Sequence, residues 1–149
     1  MPQQTTPKLT ATQARGLLRL GDVVIPGDGV LPPFSRAVAA TEADRMLPYL
    51  SDADRSSLLL LLAVCGRLPR PAVRALVALA AGWRRTPEPA AAGLRMAHIG
   101  IKGVVHSLYW SDLNRLGIHE AIGYDAQVDE AAYERSLGIT ADPTTEEDQ

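Results

Sequence analysis

Residues 51–68 read SDADRSSLLLLLAVCGRL and contain the longest uninterrupted apolar run of the chain, Leu58–Cys65. Ser51 with Asp54 is a typical helix start, because a serine oxygen at this position accepts a hydrogen bond from a backbone N–H of the first turn. The leucine run is apolar nearly all round a helix, which is typical of a helix surrounded by others. We therefore predict a helix over 52–68 at the centre of a helical protein.

The amino-acid composition also favours helices packed on helices. Apolar residues make up 46% of the 149 residues, but Phe, Trp and Tyr only 5%. A core built mainly from Leu, Ala and Val suits packed helices better than sheets. A chain of this length fits one domain. We predict an all-α fold, a compact bundle of about five to seven helices.

Further helices are predicted on both sides of this segment, from apolar residues at three- and four-residue spacing. The first begins at a TxxQ capping box, Thr10 with Gln13, and runs up to Pro26. Ser35 can cap the second, and Pro71 suits the first turn of the fourth. The predicted ranges beyond the first helix are 36–50, 71–83, 90–110, a short helix ending at a left-handed cap at Gly123, and 129–138.

Between the first two helices, PGDGVLPPF at Pro26–Phe34 holds three prolines and two glycines, so we predict an irregular loop. The polar start, residues 1–9, is predicted to be a flexible arm. We predict that residues 10–138 form a single helical domain and that the acidic tail 139–149 is disordered.

Glycines recur in the long helix predicted over 90–110, at Gly93, Gly100 and Gly103. Each weakens a helix by about 1 kcal/mol relative to alanine, unless another backbone approaches closely. We therefore expect tight packing on this side of the helix.

Charge and targeting patterns exclude several classes of protein. Lys and Arg total 15 against 17 for Asp and Glu, and the basic residues are scattered, so we expect no binding to nucleic acid. The longest apolar run is too short to span a bilayer, so no membrane insertion is expected. The N-terminus shows neither a signal peptide nor a twin-arginine signal, which favours the cytoplasm. Cys65, the only cysteine, is predicted to be a buried core thiol.

The sequence contains no convincing catalytic or metal-binding set. The three histidines His98, His106 and His119 lack HxxxH or HExxH spacing. No GxSxG turn and no phosphate-binding glycine motif is present, so we predict no catalytic residue, metal or cofactor in this chain. A small stand-alone enzyme that uses His106 and Asp112 remains an alternative.

Aromatic residues are concentrated near the end of the long helix. Tyr109, Trp110 and Tyr124 lie within sixteen residues, although the chain has only seven aromatic residues. Tyr and Trp supply large rigid surfaces and a hydrogen-bonding group at protein interfaces. We interpret this cluster as a contact surface or its direct support. The alternative is that Leu108, Tyr109 and Trp110 simply pack into the core.

Several of these motifs resemble one family. Ile25 with Pro26 before a Gly/Pro loop, Tyr109–Ser111, and Gly123 with Tyr124 are similar to motifs of the small subunits called gluconate 2-dehydrogenase subunit 3. The resemblance covers roughly residues 15–125. Trp110 stands where the family would have tyrosine, and the twin-arginine signal of many relatives is missing.

The resemblance implies a helical accessory subunit without a cofactor, which binds and stabilises a large FAD-dependent flavoprotein of the glucose-methanol-choline type. A cytochrome sometimes joins such complexes, and co-export with a signal-bearing partner would place this one in the periplasm. A helical adaptor unrelated to flavoproteins is a further alternative. The predicted partner interface comprises Pro26, Gly27, Asp28, Leu31, Pro32, Phe34, His106, Tyr109, Trp110 and Tyr124.

Overall fold

The computed structural model describes residues 7–113 and 116–124, and within them every regular element is a helix. The all-α class is therefore confirmed, while the predicted helix 129–138 and the tail 139–149 lie outside the described residues. None of the described helices is long and apolar enough to cross a membrane. The α-helices are α1 (Ala11–Val24), α2 (Phe34–Ala37), α3 (Ala43–Met46), α4 (Asp52–Arg67), α5 (Arg70–Ala81), α6 (Ala90–Trp110) and α7 (Ile118–Ala121), and 3₁₀ turns cover Ala40–Glu42, Leu47–Tyr49 and Gly82–Arg85.

Helix α1 begins at the predicted capping box. Thr10 Oγ1 accepts a hydrogen bond from Gln13 N at 3.3 Å, and Gln13 Oε1 accepts one from Thr10 N at 2.9 Å. These bonds satisfy backbone N–H groups that a helix start leaves without partners. The inner side of α1 carries Leu17 and Leu20, which are fully buried.

The helix at the centre of the bundle is α1, not α4 as predicted. Helix α1 packs against α2, α4, α5 and α6, whereas α4 packs chiefly against α1. On α4, Leu62 and Cys65 are buried, but Leu60 is exposed. A leucine run supplies apolar surface on all sides. How many neighbours cover that surface depends on the packing of the other helices, which the run does not encode.

Two glycines let α1 and α4 approach closely. A Cβ added to Gly16 would lie 1.9 Å from Leu62 O, and one added to Gly66 would lie 2.0 Å from Thr12 O. Both distances are far inside van der Waals contact. Arg19 strengthens the same crossing, because its Nη1 donates a hydrogen bond to Gly66 O at 3.2 Å. The crossing of α1 and α4 thus depends on the absence of two side chains.

Helix α6 has the predicted bounds, but its glycine side is not packed by the described residues. A Cβ added to Gly93, Gly100 or Gly103 would meet none of their atoms within 4 Å. The described residues therefore do not supply the tight packing expected there. Glycines in a helix indicate where close approach is possible, and the close approach occurs at Gly16 and Gly66 instead.

The continuous helix predicted over 36–50 is wrong. The chain forms α2, a 3₁₀ turn, α3 and a second 3₁₀ turn, with Val38 in an extended conformation at φ −117° and ψ 123°. Ala37, Val38, Ala43 and Leu47 are all buried. On one helix, at about 100° per residue, these four would spread over more than half of its circumference. The break at Val38 lets both halves of the segment face the core.

Leu9, which we placed in a flexible arm, belongs to the folded domain. Its backbone N donates a hydrogen bond to Asp44 Oδ1 at 2.9 Å, and its side chain packs against the core. Residues 1–6 lie outside the described residues.

Cys65 is fully buried, so the prediction of a core thiol is confirmed. Burial raises the pKa of this thiol, because the thiolate would lose its hydration. The group therefore stays protonated and packs as a small apolar residue.

Candidate contact surface

The predicted loop at 26–34 is stabilised by a carboxylate within it. Asp28 Oδ1 accepts hydrogen bonds from Leu31 N at 2.8 Å and from Val30 N at 3.0 Å. The N–H of Leu31, followed by that of Val30, lowers the pKa of Asp28 because both stabilise the charged form. The loop is therefore irregular, as predicted, but it has a defined conformation of its own.

Two glycines with positive φ and one backbone hydrogen bond determine the shape of this loop. Gly27 and Gly29 have φ values of +82° and +93°, which glycine adopts without steric penalty. A Cβ added to Gly27 would also lie 2.8 Å from Pro33 N. At the base of the loop, Phe34 N donates a hydrogen bond to Ile25 O at 3.0 Å, so the two ends of the loop are adjacent.

Tyr109 joins this loop to α6, across 77 positions of sequence. Its hydroxyl donates a hydrogen bond to Pro32 O at 2.7 Å, and its ring stacks on Phe34 with centroids 6.4 Å apart. The residue is fully buried. Burial raises the pKa of Tyr109, and the negative charges of Asp28 and Asp112 raise it further. The hydroxyl therefore keeps its proton and remains a donor to the loop.

We expect the stabilising effect of Tyr109 to fade at alkaline pH. The folded pKa is raised above the unfolded value of about 10, so the contribution is complete below pH ~10 and is lost as the pH rises through the folded pKa. Tyr109→Phe should cost about 1 kcal/mol at neutral pH, because Pro32 O loses its donor. Denaturant unfolding of both proteins at pH ~8 and ~11 measures the difference, which should shrink at the higher pH.

The matched control is Tyr49→Phe, because Tyr49 is 89% exposed. Its difference from the wild type should be small at both pH values. A stability difference for Tyr109→Phe that grows with pH would contradict the raised pKa.

Trp110 lies at the surface at the end of α6. Its Nε1 donates a hydrogen bond to His106 Nδ1 at 3.1 Å, so this nitrogen of His106 acts as an acceptor. The indole also meets the Tyr109 ring edge to face, with centroids 5.2 Å apart and planes at 89°. These contacts fix the ring while 36% of the residue stays accessible. Trp110 is thus a pre-oriented aromatic group on the surface.

Asp112 fixes the turn after α6. Its φ is +43°, and its two oxygens accept hydrogen bonds from Leu116 N at 2.9 Å and from Ile118 N at 3.2 Å. Both carboxylate oxygens therefore hold the chain between α6 and α7.

The residues around α7 return the chain to the end of α6. His119 Nε2 donates a hydrogen bond to Trp110 O at 2.5 Å, since a carbonyl oxygen can only accept. Gly123 has φ +68°, which confirms the predicted left-handed cap. Tyr124 N donates to His119 O at 2.8 Å, and the Tyr124 ring meets the His119 ring with centroids 5.3 Å apart. Tyr124 is exposed beside Trp110 and His119.

An open groove of about 480 Å³ lies along the loop. Leu116 reaches it from the turn held by Asp112, and Arg36 reaches it from α2. Its wall combines apolar side chains with glycine and proline backbone and the Arg36 side chain, so it offers polar and apolar surface in similar amounts. The lining residues are Pro26, Gly27, Gly29, Val30, Leu31, Pro32, Pro33, Arg36 and Leu116.

The predicted interface residues are linked by these contacts into one region, but they do not all reach solvent. Phe34 and Tyr109 are fully buried, so they can support a contact surface and cannot form it themselves. The other predicted residues are accessible: Pro26, Asp28, Trp110 and Tyr124 are exposed, and Gly27, Leu31, Pro32 and His106 are partly buried.

The predicted interface residues left out five residues that line the groove: Gly29, Val30, Pro33, Arg36 and Leu116. Val30 could have been identified from the sequence, because an apolar residue at the tip of a Gly/Pro loop has no obvious core to pack into. Nothing in the sequence identifies Arg36 and Leu116, because only the tertiary fold brings them to the groove.

Two of the three histidines make hydrogen bonds to Trp110, one to its indole and one to its carbonyl. Among residues 7–113 and 116–124, no group of three or more His, Cys, Asp or Glu side chains is placed to hold a metal ion.

Comparison of the chain with protein-family models, with curated proteins and with solved structures gave no significant match.

Proposed function

We propose that this chain is a non-catalytic small subunit that binds and stabilises a large FAD-dependent oxidoreductase of the glucose-methanol-choline type. The observation that carries the proposal is the hydrogen bond from Tyr109 to Pro32 O. It joins the two segments that hold the motifs of the subunit 3 resemblance, Ile25 with Pro26 and Tyr109–Ser111. A resemblance that rests on short motifs is better supported when the separated motifs lie side by side in the folded protein.

The chemistry of this surface suits binding. Trp110 and Tyr124 offer accessible aromatic area with a hydrogen-bonding group, the kind of residue that anchors protein interfaces. The loop at 26–34 is already ordered by its own hydrogen bonds, so less conformational entropy is lost when it meets a partner. In this proposal the flavin and substrate sites lie on the partner, and a cytochrome can join as electron acceptor.

In this proposal the complex is cytoplasmic. If the flavoprotein carries an export signal, the small chain travels to the periplasm with it. Cell fractionation with antibodies against both chains distinguishes the two locations.

Co-expression tests the proposed function. The chain is produced with the flavoprotein of a neighbouring gene, recognised by a GxGxxG motif near its start. We expect a yellow complex of both chains and a higher yield of soluble flavoprotein than without the small chain. A flavoprotein that folds equally well alone and does not bind the chain would overturn the proposal. Turnover by the pure small chain that is lost in His106→Ala would favour the enzyme alternative, and stable binding to a protein without flavin would favour an adaptor.

Trp110→Ala should weaken this complex. Loss of a central aromatic anchor costs on the order of 2 kcal/mol, which is about thirtyfold in Kd. The melting temperature of the free subunit should fall by less than the loss of a fully buried indole would cause, because 36% of the residue is already accessible. Calorimetric titration and thermal melting of the same variant measure both quantities. Tyr49→Ala removes a more exposed aromatic residue from another region and should leave Kd unchanged. Full binding by a destabilised Trp110→Ala subunit would show that Trp110 serves only the core.

A further inference from the structure

Helix α6 presents an apolar and uncharged row of residues to solvent. Met96 is 66% exposed and Ile99 is 57% exposed, and Gly100 and Gly103 are exposed beside them. Their spacing of three and four residues places them on one side of the helix. We call these four residues the α6 outer stripe. Together they form a flat surface with two large apolar side chains and two positions without side chains.

The composition of the α6 outer stripe is unfavourable for a surface that stays in water. The two apolar side chains remain exposed to water, which is unfavourable relative to burial, and the two interior glycines weaken the helix by about 1 kcal/mol each. Close approach of another backbone offsets the cost of such glycines. None of the described residues comes within 4 Å of a Cβ added to Gly100 or Gly103. The stripe therefore has the properties of a packing surface without a described neighbour.

Charge indicates what kind of segment fits there. Helix α6 contains no Asp or Glu, and its exposed residues Arg95 and Lys102 form a basic edge beside the stripe. Neither of them takes part in an ion pair with a described residue. Residues 125–149 hold eight of the 17 acidic residues and only one of the 15 basic ones, a net charge of −7, which leaves residues 1–124 at +5. The C-terminal segment is thus complementary in charge to the edge of α6.

The path of the chain brings this segment to the right place. Tyr124 packs on His119, whose Nε2 is 2.5 Å from Trp110 O, so the described chain ends beside the C-terminus of α6. The distance along α6 from Trp110 back to Met96 is about 21 Å at 1.5 Å per residue. The helix predicted from the sequence over 129–138 would be about 15 Å long. The 25 residues that follow Tyr124 suffice to run back along the stripe.

We propose that residues 125–149 of this chain cover the α6 outer stripe, running antiparallel to α6 from its Trp110 end. Val128, Ala131 and Ala132 share one side of a helix by their spacing, and the small alanines allow close approach to Gly100 and Gly103. The acidic residues Asp129, Glu130 and Glu134 supply the charges that complement Arg95 and Lys102. A second copy of α6 fits less well, because two basic edges would repel each other. The inference does not depend on the flavoprotein partner.

Paramagnetic relaxation in the full-length chain tests the proposal. A nitroxide is attached at Ala97→Cys, an exposed position on α6 beside the stripe and outside it, and the amide signals of residues 129–138 are recorded by NMR. Native Cys65 is fully buried, so the exposed thiol reacts first. The control label is placed at Leu60→Cys, an exposed apolar position on α4. We expect residues 129–138 to lose more than half of their signal intensity with the label on α6 and to keep it with the label on α4.

Three results would overturn the proposal. Unchanged signals with the α6 label would show that another protein or solvent covers the stripe. Broadening that appears only when labelled chains are mixed with isotope-enriched chains would show a second copy. Full broadening in a variant with both Arg95→Glu and Lys102→Glu would exclude charge complementarity, since that reversal is expected to restore at least half of the lost intensity.

Discussion

Gly66→Ala is expected to lower the free energy of unfolding by about 3 kcal/mol or more. The new Cβ would lie 2.0 Å from Thr12 O, a backbone atom of α1 that cannot rotate away as a side chain can. Helices α1 and α4 would have to separate, and the buried contacts of Leu17, Leu62 and Cys65 between them would loosen. The melting temperature should fall by roughly 6–12 °C for a chain of this size.

Gly93→Ala is the matched control for this prediction. Gly93 is also in a helix, but a Cβ there meets no described atom within 4 Å. The same substitution should therefore raise the free energy of unfolding by up to about 1 kcal/mol, because alanine favours a helix more than glycine does. Thermal and denaturant unfolding of both variants measure the contrast. Equal stabilities for Gly66→Ala and Gly93→Ala would contradict the close crossing.

Gly16→Ala provides a second check on the same crossing. Its Cβ would lie 1.9 Å from Leu62 O, so the single variant should behave like Gly66→Ala. The double variant should cost less than the sum of the two, because the first substitution already separates the helices.

Phe34→Ala is expected to cost about 3–5 kcal/mol. The ring is fully buried, it stacks on Tyr109, and it lies against Gly21, where an added Cβ would be 2.0 Å from ring atom Cδ1. Truncation leaves a cavity between α1 and α6 that these well-fitted neighbours fill only in part. Because Phe34 also ends the loop at 26–34, the accessible part of the proposed interface should lose order with the core.

Denaturant unfolding measures the loss of stability, and amide hydrogen exchange of residues 26–33 measures the loss of order. Val30→Ala is the control from the same loop, since Val30 is exposed and its truncation should change stability by less than about 0.5 kcal/mol. A Phe34→Ala protein with wild-type stability would show that this ring does not anchor the loop.

Features that depend on a few adjacent residues were predictable. The capping box of α1, the serine cap of α4, the bounds of α6 and the left-handed Gly123 follow from hydrogen bonds and backbone preferences within about one helical turn. The irregular conformation of the 26–34 loop follows equally from its prolines and glycines. For the same reason the all-α class could be predicted from composition and spacing.

The role of each element in the assembled protein was not predictable in this way. The leucine run of α4 indicated a central helix, yet α1 lies at the centre, because Gly16 and Gly21 admit α4 and Phe34 to its surface. The glycines of α6 also predicted close packing, but no described residue packs against them. Glycine spacing therefore shows where close approach is permitted, while the partner depends on which helices meet.

In the candidate surface, too, some features could be predicted from the sequence and others are decided by the tertiary structure. Its aromatic residues and its proline-rich loop stand out from the sequence, because such residue types are unusual in a chain rich in Leu and Ala. Whether each of them is buried or exposed depends on contacts between residues far apart in the sequence. Tyr109 can be buried because its hydroxyl donates a hydrogen bond to Pro32 O, while its neighbour Trp110 remains partly exposed. Local composition determines the caps, the turns and most of the helices, because these preferences act over a few residues, but the break at Val38 depends on how the segment meets the core. Burial, close crossings and the grouping of separated motifs are decided only by the tertiary structure, because they depend on the simultaneous packing of all the helices.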